Sequence, residues 1–325
     1  MTTRHHVAIL SDIHYASAAE QARGEDYEFR DLKNPLVRLL IRFHRHFIWL
    51  RHPFGQNHLV DRFIERAGKP DLVIANGDYS CNSAFVGVCD DAAFQSASEC
   101  LQKLRDRFLP NFRATFGDHE LGKLSFFGGR GGMQLKSWHR AQAGLGLQPL
   151  WRADLGNYVL LGVTSSLIAL PVYEADTVPN ERAEWQQLRQ QHLDDIRRAF
   201  SSLKPSQKAL LFCHDPTALP FLWRDETIRS HLNQIEHTII GHLHSSLVYR
   251  QARILSGIPP IRFLGHTAKR MSTALSEGRH WRHFRVKLCP SLAGIEFLKD
   301  GGFFTVELDA EARQPAAFQF HPLKR

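Results

Sequence analysis

The sequence predicts an α/β protein, and three observations carry that expectation. Five short apolar runs each end in carboxylate or imidazole side chains. Polar stretches with helical spacing separate them. The last third of the chain alternates apolar and polar residues in short segments that read as strands.

The five runs come in a fixed order. Residues 7–10 lead into Ser11-Asp12-Ile13-His14, and residues 72–75 into Asn76-Gly77-Asp78. Residues 112–116 lead into Gly117-Asp118-His119-Glu120, and residues 209–212 into Cys213-His214-Asp215. Residues 238–240 lead into Gly241-His242-Leu243-His244. Acidic and histidine residues just beyond buried strands are how open α/β sheets build sites. On an extended backbone, two histidines one residue apart point to opposite faces. A bend past the strand end would turn both to one point, and Gly241 is expected to give the freedom for it. With 19 histidines in the chain, one such pair could be incidental; five segments in series argue for a metal site.

Between the first and second runs lies a helical insertion, residues 32–68. Asn34-Pro35 is a helix-start signal. Over residues 36–52, Leu36, Leu39, Leu40, Phe43, Phe47 and Leu50 share one helical face, and Arg38, Arg42 and Arg45 the other. Pro53 ends the helix, and residues 58–67 form another. An apolar face opposite a basic one, with Trp49 near one end, is the pattern of a helix lying on a membrane surface. Leu36, Leu40, Phe43, Phe47 and Trp49 are the expected membrane contacts. A helix packed on the core and a homodimer interface are the alternatives.

The remaining segments are less distinctive. Residues 79–90 form a loop of small residues beside Asp78, expected to shape the substrate entrance, with Asn82 as a candidate contact. Residues 91–108 read as a helix. The glycine-rich stretch 126–133 surrounds Arg130, a candidate phosphate contact, although no P-loop or dinucleotide fingerprint is present. Residues 158–163 read as a strand and 181–200 as a polar helix. Short strands are expected at 248–249, 261–263, 283–288, 294–297 and 303–308. Trp281 and Phe284 lie among basic residues and could stack on bases, but alternation fits sheet packing equally and no nucleic-acid module is recognisable.

The order of motifs resembles the calcineurin-like metallophosphoesterase superfamily: D-x-H, then G-D, then G-N-H-[DE], then a lone H, then G-H-x-H. The resemblance spans residues 7–244. It implies a four-layer α-β-β-α sandwich of two mixed sheets flanked by helices, in one domain over residues 1–325 with the insertion inside it. It implies two metal ions. Asp12, His14 and His244 would bind the first, Asp78 would bridge, and Asp118, His214 and His242 would complete the second. His119 would be the general acid, oriented by Glu120, and a metal-bridging hydroxide the nucleophile. Mixed carboxylate and imidazole donors suit manganese foremost, with Fe, Zn, Co or Ni as alternatives.

The chain departs from that pattern at one place, Asp118 for asparagine. An added negative charge should tighten metal binding, weaken Lewis acidity and repel an anionic substrate, so Asp118→Asn is expected to be the more active form. Natural variation, an introduced inactivating change and tuning to another metal remain open explanations.

Net charge of +8 and a pI near 9.4 favour anionic partners. Five cysteines without a CxxC pair and the absence of a leader lead to an expected reducing, cytoplasmic location, peripheral to the inner face of the cell membrane if the insertion docks there. The expected activity is hydrolysis of a phosphoester or pyrophosphate in a membrane-presented substrate resembling UDP-diacylglucosamine, which some relatives in the superfamily cleave in lipid A synthesis. The alternatives are a soluble phosphodiesterase or nucleotide hydrolase, and a non-catalytic scaffold whose site has degenerated at Asp118.

Overall fold

A computed structural model describes residues 3–29, 32, 34–123, 125, 132–261, 263 and 265–324. Among them, ten strands form two five-stranded mixed sheets. The first has the order β10-β9-β1-β2-β3, from β1 (Arg4–Leu10), β2 (Leu72–Ala75), β3 (Phe112–Ala114), β9 (Gly302–Asp309) and β10 (Ala317–Pro322). The second has the order β4-β5-β6-β7-β8, from β4 (Leu150–Leu155), β5 (Tyr158–Val163), β6 (Lys208–Cys213), β7 (Ile235–Ile240) and β8 (Val286–Leu288). Strands β1, β2 and β3 run parallel, as do β5 to β8. The antiparallel partners are β9 with β10 at one edge and β4 at another.

The period-two alternation of each strand generates the layers. Val7, Ile9, Leu72 and Ile74 point between the sheets, against Leu160, Leu210, Phe212 and Ile239. Their neighbours Ala8, Leu10, Val73 and Ala75 point the other way, under helices carrying Phe63, Leu101, Leu104 and Phe108. Val159, Leu161, Ala209 and Leu211 do the same beneath Trp185, Ile196 and Phe200. Each large apolar side chain so buried contributes roughly 1.5–3 kcal/mol. The expected four-layer sandwich is the observed one.

The C-terminal third differs from expectation. Residues 248–249 lie in a helix, Ser246–Ile254, started by the Ser245 hydroxyl accepting from the Leu247 N–H at 3.2 Å. Two alternating residues are too few to outweigh a cap. Residues 283–288 yield only the three-residue β8, preceded by 3-10 turns over Gly278–Phe284. Ile261, Phe263 and residues 294–297 are not in strands, whereas β9 covers the expected 303–308. Trp281 and Phe284 are buried, so their rings serve packing and are not exposed for base stacking. Strands β4 and β10, at sheet edges with half-exposed faces, fall outside the expected segments.

The insertion also departs from one straight helix. Asn34 caps the helix Pro35–His44, its Oδ1 accepting from the N–H groups of Leu36 and Val37. A π-helical turn, Arg45–Trp49, follows and re-aims the chain. No residue of Pro35–His44 is buried; Leu36 is 69% exposed, Leu40 67%, Phe43 56% and Phe47 49%. Trp49, expected among the membrane contacts, is turned inward instead. The basic face is largely neutralised, with Arg42 paired to Asp26 and Arg45 to the buried Glu28.

Candidate metal centre

The parallel strands of both sheets aim their carboxyl ends at one place. Strand β1 delivers Asp12 and His14, β2 delivers Asp78, and β3 Asp118 and His119. From the other sheet, β6 delivers His214 and β7 delivers His242 and His244. Two clusters result: Asp12, His14, Asp78 and His244, and Asp118, His214 and His242, each with donor atoms within 4.8 Å of one another. All seven side chains the sequence proposed as ligands meet here.

The backbone bends sharply to do this. Asp12, His14, Asp78, His242 and His244 all have φ between +50° and +60°. They are five of the eight non-glycine residues with positive φ among those described. Each costs roughly 1–3 kcal/mol, strain that functional sites concentrate. The left-handed turn after β7 is thus made by the histidines themselves. Gly241 is needed for closeness: a Cβ there would stand 2.1 Å from Ser11 Oγ and 2.4 Å from Asp12 Oδ2.

Hydrogen bonds fix the carboxylates. Asp78 Oδ1 accepts from the N–H groups of Asp118 at 2.6 Å and His119 at 2.9 Å. Its Oδ2 faces His214 Nε2 at 3.1 Å, joining the clusters. Asp12 Oδ2 accepts from the Ser11 hydroxyl at 2.5 Å and Oδ1 from the His242 N–H at 2.9 Å. Burial would raise Asp12, but His214 and His244 hold it at about 2. Burial likewise works against Asp78, and His214 and His119 keep it well below the carboxylate range. Burial, with His119 and His244 beside it, pushes His14 down to about 3.

Several of these atoms are placed to take a cation. His214 Nδ1 donates to the Asn76 carbonyl at 2.6 Å and Nε2 faces Asp78 Oδ2 at 3.1 Å; burial opposes charge on this imidazole, but Asp78 and Asp12 raise it well above its ordinary value. His14 Nε2 and His244 Nε2 face each other at 3.2 Å, with Asp12 Oδ1 3.1 Å from the latter. Asp118 Oδ2 faces His242 Nδ1 at 2.6 Å, and buried His14 Nδ1 has no hydrogen-bond partner among the described residues. Carboxylates and imidazoles so converged are held by protons on the histidines, and a cation placed between them would take over that role.

The presumed acid and its orienter come out differently. His119 stands beside this array, its ring 4.7 Å from that of His14 and its Nε2 4.0 Å from Asp78 Oδ2. Its Nδ1 is paired with Ser83 Oγ at 3.1 Å. Glu120, expected to orient it, instead accepts backbone N–H groups from Gly117, Asp78 and Tyr79 at 2.7, 3.2 and 2.9 Å. It lashes the β2 and β3 loops together, and burial beside Asp78 pushes it up to about 8. Ser83, missed from the sequence, takes the orienting position.

Asn82 is buried, and its amide is committed. The nitrogen donates to the carbonyls of Gly24 and Glu25, and the oxygen accepts from Arg45. It therefore anchors the insertion to the site loop rather than facing a substrate. The turn bearing it is held by buried Glu20, which accepts from Asn82 N–H at 2.7 Å and Ser96 Oγ at 2.5 Å and is pushed up to about 7 by burial. Arg130 lies outside the described residues. Trp49 joins the site: its indole N–H donates to His244 Nδ1 at 2.9 Å, and its ring stands edge-on to His14 at 5.5 Å.

A second missed residue is Lys123. It is wholly buried, with Nζ 2.5 Å from both Asp118 Oδ1 and Asp215 Oδ2. Burial opposes its charge, but the two carboxylates raise it well above the ordinary lysine value. Tyr173 donates to Asp215 Oδ2 at 2.8 Å. The prompt for finding Lys123 was in the sequence: an unexpected carboxylate at 118 needs a neutralising partner.

Strand-end carboxylates and imidazoles at the meeting edge of two sheets make a candidate two-ion centre. The family model for calcineurin-like phosphoesterases matches residues 5–246, and the chain belongs to that family. Solved structures similar to it include a purple acid phosphatase from yellow lupin (Lupinus luteus) seeds, with 10% identity and a TM-score of 0.45, aligned over 99% of this chain and 52% of that one. Another is a conserved uncharacterized protein, a predicted phosphoesterase, of Streptococcus pneumoniae TIGR4, with 10% identity and a TM-score of 0.29, over 99% of this chain and 100% of that one. The chain thus spans about half the length of the lupin enzyme. No curated protein matches it. None of the described helices is long and apolar enough to cross a membrane.

Proposed function

We propose that the protein is a dinuclear metal-dependent phosphoesterase that cleaves a phosphoester or pyrophosphate bond of a membrane-presented substrate. The observation that carries the chemistry is the pair of ligand clusters joined at Asp78. Asp12, His14, Asp78 and His244 would hold one divalent ion, and Asp118, His214, His242 and Asp78 the other. When bound, such a pair supplies Lewis-acid stabilisation of phosphoryl charge and lowers the pKa of water. Manganese fits the donor set best.

The chain's own groups do the rest. The bent backbones of Asp12, His14, Asp78, His242 and His244 aim donors inward before any ligand arrives, so little reorganisation remains. His119 presents Nε2 toward the array while Ser83 holds Nδ1, which suits proton delivery to a leaving oxygen. Lys123 argues against the scaffold reading, since a degenerate site has no need of a buried counter-charge.

The membrane part rests on the insertion. Leu36, Leu40, Phe43 and Phe47 form one exposed apolar stripe, and the same segment ends in Trp49 against His244. A surface touching both lipid and site suits a lipid-linked phosphoester. With Arg42 and Arg45 already paired, attraction to anionic headgroups would be secondary to apolar insertion.

Two measurements test the reading. Metal-depleted protein should hydrolyse an aryl phosphate diester only after Mn²⁺ is restored; no ion uptake and no turnover would reject the chemistry. Wild-type protein should sediment with phosphatidylglycerol and phosphatidylcholine vesicles, and Leu40→Glu/Phe43→Glu should not, with aryl diester turnover retained. Failure of wild type to sediment would leave the soluble phosphodiesterase. Loss of a homodimer in the variant would assign the stripe to self-association.

A further inference from the structure

The two oxygens of Asp118 have different neighbours. Oδ2 pairs with His242 Nδ1 at 2.6 Å, inside the second cluster. Oδ1 is turned away from that cluster, toward Lys123 Nζ at 2.5 Å and the Ser166 hydroxyl at 3.3 Å. Lys123 is placed by a tight turn. The helix Asp118–Leu121 ends at Gly122, which is left-handed, and the Lys123 N–H returns to the Asp118 carbonyl at 3.2 Å. The ammonium is then held by Asp215, itself fixed by Tyr173 and the Thr217 N–H.

We propose that Lys123 is a positioning residue that decides which atom of residue 118 faces the second ion, and that Asp118 and Lys123 together replace the family's asparagine as a matched pair. The proposal rests on Asp118 being a ligand of that ion. An asparagine has one oxygen. Beside a fixed ammonium the oxygen turns to Lys123, and the amide nitrogen, which cannot ligate, turns to the ion. A carboxylate serves both. Lys123 also offsets one of the two carboxylates it touches, Asp118 and Asp215, so the charge that Asp118 adds is partly screened from behind. Asp118→Asn is accordingly the poorer form here, the reverse of the sequence-based expectation.

The test is titration calorimetry of Mn²⁺ into metal-depleted wild type, D118N, K123M and D118N/K123M, with melting of each ion-free protein to verify folding. Wild type must first bind two ions; fewer overturns the two-ion reading itself, separately from Lys123. D118N is then expected to bind the second ion about tenfold or more weakly. Adding K123M to D118N frees the amide oxygen and should recover about tenfold, whereas K123M in the Asp118 background gives no gain. An equal effect of K123M in both backgrounds, or unchanged second-ion binding in D118N, overturns the proposal. If D118N/K123M does not fold, D118N/K123M/D215N removes the unpaired buried charge. A folded triple variant is expected to show the same recovery, and its absence also overturns the proposal.

Discussion

The two ligand clusters are built alike and supported differently. Both hang from strand ends, with Asp78 between them. Around Asp12, His14 and His244 the outer partners are neutral: the Ser11 hydroxyl and the Trp49 indole, the latter belonging to the insertion. Around Asp118, His214 and His242 the support includes the buried ion pairs of Lys123 with Asp118 and Asp215. A neutral donor can move away at small cost, whereas an ammonium buried between two carboxylates cannot, because any separation leaves an unpaired charge in a low dielectric. The second cluster is therefore the fixed half of the site, and the first is the half that can respond to what the insertion touches.

The largest expected effect erases the comparison by removing what the halves share. Asp78→Asn should lower ion stoichiometry from two to one or none and turnover by on the order of a thousandfold or more. Retention of both ions, read by elemental analysis of gel-filtered protein, would show that Asp78 does not join the clusters.

Next in size is a pH effect confined to the responsive half. Glu20 holds the turn that bears Asn82 and Ser83. Its folded value, about 7, lies above the ordinary 4.5, so the fold favours the protonated acid. That contribution is complete below pH 4.5 and is lost as pH rises through about 7, amounting to about 3 kcal/mol. Thermal melts between pH 4.5 and 8 should show wild type losing stability across this window and Glu20→Gln losing less, the remaining loss coming from Glu120. Equal slopes would mean that Glu20 is ionised throughout.

A smaller effect separates chemistry from ion binding. Ser83→Ala leaves His119 in place but frees its ring, and is expected to lower kcat roughly tenfold without changing ion content or KM. Glu120→Gln should act instead on stability, because Glu120 ties three backbone N–H groups and never meets the His119 ring.

These contrasts mark what the sequence made legible. Ligand identity was readable because each donor follows an apolar strand at a short, fixed offset, and strand direction alone carries Asp12, Asp78, His214 and His244 to one edge. The support around them was not. Ser83, Lys123 and Trp49 reach the centre through loops and a π turn whose course depends on tertiary packing, so no local period announces them. Asn82 and Glu120 illustrate the converse: both are near the site in sequence, and both spend their polar atoms on backbone. Trp49 falls at the end of an amphipathic stretch, but a helical wheel of period 3.6 fails where the π turn inserts its extra residue.

The smallest effect is the sharpest probe of the responsive half. The Trp49 indole N–H points at His244 Nδ1, so that nitrogen is the unprotonated one and Nε2–H points at Asp12 Oδ1. An ion ligated through Nε2 requires the proton to sit on Nδ1, and two N–H groups then confront each other across 2.9 Å. Filling the first cluster should therefore push the indole away, and with it the end of the insertion. Trp49→Phe keeps the ring against His14 and removes the opposing N–H, so it should tighten the first ion by roughly two- to tenfold, the worth of one hydrogen bond, and leave the second unchanged. Tryptophan emission should change on adding the first equivalent of Mn²⁺ to wild type, and that change should be missing in Trp49→Phe. A weaker first ion in the variant would instead make the indole a supporting partner of the ligand, and the insertion a fixed roof over the metals.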